Sequence, residues 1–162
     1  MPDLLPFVHL LASSIFLGTS VFMALLLPSA ATGAADAVRR RSRYVVLLKV
    51  YGPLSIGSLG VVLITGAYQV TSYKLNLGTN YFELLGAALA WKLTMAFLVI
   101  MLATWVAIGM GLRMVRAEQG GLPVTDPALD KLLMRISVGL WMTIIATAYT
   151  LWVALHMTSV PH

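Results

Sequence analysis

The sequence predicts an all-α integral membrane protein, a single antiparallel four-helix bundle over residues 1–162 with both termini outside. Three observations predict it. Only 10% of the residues are charged, against roughly 25% in a soluble globular protein, too few to cover a water-facing surface. Four apolar runs each reach the ~20 residues that a spanning helix needs. The basic residues gather in alternate connections between those runs.

The first predicted span covers residues 4–27. The small residues at 29–35 resemble a signal-peptide cleavage region. The apolar run, however, outlasts a signal h-region of about 7–15 residues, and Met1-Pro2-Asp3 before it brings no Lys or Arg, so it reads as a retained helix. The second span covers 44–70 and contains Gly52, Pro53, Gly57, Gly60 and Gly66. Small residues let membrane helices approach closely, and Ser14 and Gly18 repeat that pattern on the first helix. Pro53 frees the carbonyl of Lys49 and predicts a kink. The third span, 82–112, is long enough to tilt or project from the bilayer. The fourth covers 132–157, with Asp126 or Thr125 as a cap before it and Pro127 near its first turn. Residues 28–43, 71–81 and 113–131 read as loops, short enough to make sequential helices antiparallel.

Lys and Arg bias sets orientation. Arg39, Arg40, Arg41, Arg43 and Lys49 lie in or beside the first loop, and Arg113, Arg116, Lys131 and Arg135 in or beside the third. The second loop holds only Lys74. Loops 28–43 and 113–131 are therefore expected in the cytoplasm of a bacterial-type inner membrane. Tyr73, Tyr81, Phe82 and Trp152 fit the opposite interface. The first basic loop also suits anionic lipid, although its role in topology accounts for it equally well.

Composition excludes several functions. With no cysteine there are no disulfides, zinc–thiolate sites, iron–sulfur clusters or covalent haem attachment. The net charge of +5 lies in two loops and does not mark a nucleic-acid surface. No Gly-rich phosphate loop, Ser/His/Asp arrangement or intramembrane carboxylate pair is present. The nine methionines are mostly scattered singly; Met110 and Met114 are one turn apart but far from the histidines, so packing explains them better than copper ligation.

Ionisable residues inside a membrane are costly and mark candidate sites. His9, Lys92 and His156 are the three here. At 1.5 Å per residue, His9 sits about 8 Å below the outer end of its helix and Lys92 about 16 Å along the third. His156 lies at the outer end of the fourth, so all three converge on the outer leaflet. His9 suits an axial ligand of a b-type haem, on a face shared with Ala12, Ser13, Phe16 and Ser20. Equally, it suits a histidine hydrogen-bonded to a neighbouring helix. His156, on a face with Trp152, Tyr149 and Ile145, is a candidate second axial ligand, or a residue satisfied by interfacial water. Lys92 has no carboxylate obviously placed to neutralise it. It is a candidate for a haem propionate or a lipid phosphate, or a lysine that snorkels to the interface.

The first helix, His9-Leu-Leu-Ala-Ser-Ser-Ile-Phe16-Leu-Gly18, resembles the first-helix pattern of the copper-resistance-D-type membrane domains. Together with Trp91-Lys92-Leu93 in the third helix and the Arg-rich stretch before the second, the chain is also similar to the HemJ-type protoporphyrinogen oxidases, small four-helix membrane proteins. That resemblance implies a haem site in which His9 is an axial ligand and Lys92 part of the pocket.

The leading expectation is a membrane protein binding one haem b near the outer leaflet, in electron transfer or tetrapyrrole oxidation. Any catalysis would then be that of a haem-dependent membrane oxidoreductase. Partners expected beside the lipid bilayer are quinone, a larger membrane complex or a second copy in a homo-oligomer. The alternatives are a non-catalytic accessory subunit of a respiratory or photosynthetic complex and a copper-handling membrane protein.

Overall fold

The computed structural model describes residues 4–32, 37–78, 81–120 and 126–157, and all of them are helical but for the turn residues Gly78 and Gly120. Helix α1 spans Leu4–Thr32, α2 Ala37–Leu77, α3 Tyr81–Thr104, α4 Leu112–Gln119 and α5 Asp126–Met157. A π-helical segment, Trp105–Gly111, joins α3 to α4 as one continuous rod. The fold is thus a bundle of four rods, each long and apolar enough to cross a membrane: Leu4–Pro28, Arg41–Ser72, Leu89–Gln119 and Ala128–Val153. It is the architecture of an integral membrane protein.

The helices outrun the apolar spans. Residues 28–43 read as a loop, yet α1 continues through Pro28 to Thr32 and α2 begins at Ala37, with only 33–36 outside the described residues. Likewise the third connection is helical to Gln119 and again from Asp126. Hydropathy marks where the chain leaves apolar surroundings. It does not mark where the backbone stops coiling, and Arg, Ala, Glu and Gln are good helix formers. α2 also runs through Pro53 as one helix. It ends where Gly78 takes φ +55°, a left-handed conformation that glycine adopts without strain just beyond a helix C-terminus.

α1 packs along α2, and α5 lies against both α1 and α3. The main core sits in the half of the bundle that carries the arginines, here called the basic end. It joins Met23, Ala24 and Leu27 of α1, Tyr44, Leu48 and Tyr51 of α2, Val106 to Val115 of the third rod, and Leu129 to Leu140 of α5. A small second core at mid-height holds Phe16, Leu59, Val99 and Ala103. Beyond it, towards the opposite end, the described residues that are buried are few: Ala12, Thr65, Thr147 and Val153.

The π-helical segment has a sequence reason. Val99, Ala103, Ala107, Gly111 and Val115 are all buried at a strict spacing of four. In a 3.6-residue helix each such step over-rotates by about 40°, so the stripe would turn away from the core within a few turns. Bonding from residue i to i+5, as from the Leu112 N–H to the Ala107 carbonyl, lowers the rotation per residue and holds the stripe inward.

Close approach of helices falls where the sequence does not announce it. A Cβ added at Gly18, Gly52, Gly57 or Gly60 would meet nothing within 4 Å, so these small residues are not contact points. At Gly139 it would lie 2.5 Å from Val106 Cγ2, and at Gly111 3.3 Å from Leu48 Cδ2. The π-helical segment is wedged there between α2 and α5. At the basic end Arg41 pairs with Glu118, tying the start of α2 to the end of α4.

Candidate functional site

α1 begins, α2 ends, α3 begins and α5 ends on one side of the bundle, so antiparallel packing brings His9, Lys92 and the last turn of α5 to the same end. His9 is half-buried on the face of α1 that turns towards α2. The neighbouring residues on that face behave as their spacing predicts: Ala12, Phe16 and Ser20 are buried. The Ser13 hydroxyl donates to the His9 carbonyl at 2.8 Å.

The imidazole meets α2 at two residues. Its Nδ1 lies 2.8 Å from Thr65 Oγ1. Its ring edge rests on Gly66, where an added Cβ would stand 3.4 Å from His9 Cε1. Gly66 is therefore the one glycine of the α2 series whose missing side chain makes room for a neighbour.

The other bonds of the Thr65 hydroxyl favour one tautomer of His9. Thr65 Oγ1 has one proton, and it points back along α2 to the Val61 carbonyl at 2.7 Å, with the Val62 carbonyl at 3.2 Å. A hydroxyl whose proton is so committed receives a hydrogen bond through its lone pairs. The donor is then the His9 Nδ1–H. The Nε2 nitrogen consequently carries the bare lone pair. Ligating histidines are held in this way, one ring N–H given to a protein acceptor and the other nitrogen left for the metal. The contact is the one that the alternative reading of His9, a histidine bonded to a neighbouring helix, expects.

Lys92 is half-buried on α3, and among the described residues no carboxylate lies within ion-pair distance of it. Beside it, Trp91 meets Tyr149 of α5 edge-on at 6.5 Å, and Tyr149 stacks on Trp152 at 6.0 Å. His156 is in the last turn of α5, but its side chain lies outside the described residues. Ile145, Tyr149 and Trp152, which share its helical stripe, are all exposed. The side chains of Tyr73, Tyr81 and Phe82, and all of Thr125 and His162, also lie outside the described residues.

Sequence reasoning missed Thr65 and named Gly66 only as one of four α2 glycines suited to close helix approach, since hydroxyls and glycines are spread along the spans and only the rotation of α1 against α2 selects these two. It also missed a buried polar group nearer the basic end. The Tyr51 hydroxyl is buried facing the hydroxyls of Ser20 and Ser55, outside hydrogen-bonding geometry. Most other buried hydroxyls donate to their own helix: Ser20 to Phe16, Thr143 to Gly139 and Thr147 to Thr143. Among the described residues no group of three or more His, Cys, Asp or Glu side chains gathers as a metal cage.

No protein-family model, no curated protein and no solved structure matches the chain.

Proposed function

We propose that this protein binds a b-type haem at the His9 end of the bundle and serves in membrane electron transfer or tetrapyrrole oxidation. The observation that carries the reading is the His9–Thr65 contact, which engages Nδ1 and so favours Nε2 as the nitrogen for a metal. Two features support it. The described residues of this end are sparsely packed, which suits a large planar guest. Lys92 supplies a half-buried cation without a described acidic partner, which suits a propionate. Haem when bound supplies the redox chemistry, and the protein supplies ligand, burial and charge. The short motifs around His9 and Trp91-Lys92 favour kinship with the copper-resistance-D and HemJ types. The arginine-rich end is assigned to the cytoplasm of a bacterial-type inner membrane, with both termini outside.

The test is a haem titration of purified protein beside the His9→Ala and Lys92→Gln variants. The reading expects a Soret band that His9→Ala abolishes and Lys92→Gln weakens. A wild-type protein that stays colourless with haem in excess, and that purifies within a larger complex, would favour the accessory-subunit reading. The exposed Trp91, Tyr149 and Trp152 would then be partner contacts.

A further inference from the structure

We infer that the α1–α2 face near the basic end binds one anionic phospholipid, its phosphate on Arg39 and Arg43 and an acyl chain in the groove below them. This site is separate from the proposed haem site and does not depend on it. The groove has a volume of about 270 Å³, and Gly18 and Phe22 of α1 and Leu47, Val50 and Leu54 of α2 line it. Its lining is apolar, so within a bilayer its natural occupant is a hydrocarbon chain.

The headgroup specificity comes from register. Arg39, Arg43, Leu47, Val50 and Leu54 follow one another at spacings of four, four, three and four, which place them on one stripe of α2. A chain lying in the groove therefore leads, at its basic end, to the two guanidinium-bearing positions. Both arginines are exposed, and among the described residues neither has a carboxylate partner. Arg41, between them in sequence, is turned to another side and neutralised by Glu118. Two arginines without a carboxylate partner among the described residues thus continue the stripe that lines the apolar groove. Guanidinium groups match phosphate oxygens in charge and in bidentate geometry. Gly18 keeps the channel open, since a Cβ there would meet nothing within 4 Å.

The test uses the full-length protein in a zwitterionic detergent. Its melting temperature is followed as phosphatidylglycerol, phosphatidylcholine of the same chains, or glycerol phosphate is added. Phosphatidylglycerol is expected to raise the melting temperature saturably, and the other two are not. Each arginine near an anionic lipid surface contributes enough to change affinity about fivefold, so Arg43→Gln should weaken binding about fivefold and the Arg39→Gln/Arg43→Gln pair by about 25-fold. Gly18→Leu fills the channel with both charges kept and should abolish the shift. Should Gly18→Leu not fold, the arginine variants carry the test alone, because both positions are exposed. An equal shift with phosphatidylcholine, or an undiminished shift in the double arginine variant, would overturn the inference. An equal shift with glycerol phosphate would also overturn it, leaving a free-anion site.

Discussion

Replacing Thr65 by valine keeps the shape of the side chain and removes the hydroxyl that accepts from His9. The size of the effect follows from the contact. Interhelical hydrogen bonds within membranes are worth about 0.6 kcal/mol on average and at most about 1.7. The His9–Thr65 bond is short, at 2.8 Å, but half-buried. The loss in stability should therefore fall at about 0.5–1 kcal/mol. The effect on ligation should be larger in proportion, because the partner of a ligating histidine fixes its tautomer, and losing such a partner typically costs 10–100-fold in metal affinity. Thr65→Ser retains the hydroxyl and should restore both. The assays are denaturant titration in micelles and haem titration by absorbance, with His9→Ala completing a double-mutant cycle. If Thr65→Val binds haem as the wild type does, and its coupling to His9→Ala is indistinguishable from zero, the assigned role of this contact is refuted.

Other outcomes follow from the packing of the bundle. Gly139→Ala sets a Cβ 2.5 Å from Val106 Cγ2 and should cost about 1–3 kcal/mol in thermal unfolding, partly recovered by adding Val106→Ala. Failure of the second substitution to recover stability would argue against this wedge. Gly66→Val should displace the imidazole from its seat and weaken haem binding more than it lowers the melting temperature, which parallel titrations would separate. Tyr51→Phe deletes a buried hydroxyl that faces Ser20 and Ser55 outside hydrogen-bonding geometry and should leave stability unchanged or raised; a clear loss in thermal unfolding would show that the hydroxyl is bonded. Arg41→Gln breaks a partly exposed ion pair and should cost less than about 1 kcal/mol, with the difference shrinking in high salt.

The spans were legible in the sequence because lipid imposes a strong requirement on composition over ~20 residues. Their ends were not, since Arg39 to Arg43 belong to water by polarity and to α2 by backbone. The π-helical segment left a readable trace, the four-residue spacing from Val99 to Val115, but the glycine it is wedged against, Gly139, lies on another helix. At the candidate site, cost alone singled out His9 and Lys92, as few other ionisable groups sit so far into an apolar run. Their surroundings were another matter. Which residue of α2 meets His9 depends on helix rotation, and a turn of 100° would exchange Thr65 for Gly66 as the facing position. The same freedom left Gly18 and Gly57 looking like contact residues when open space surrounds them.

The central claim is that His9 holds a haem through Nε2. It is tested most directly by a dithionite-reduced minus oxidised spectrum of the protein purified after expression with haem supplied, beside His9→Ala prepared identically. The account predicts Soret and α bands in the wild type and their loss in the variant. Bands of equal strength in both proteins, or none in either, would contradict it.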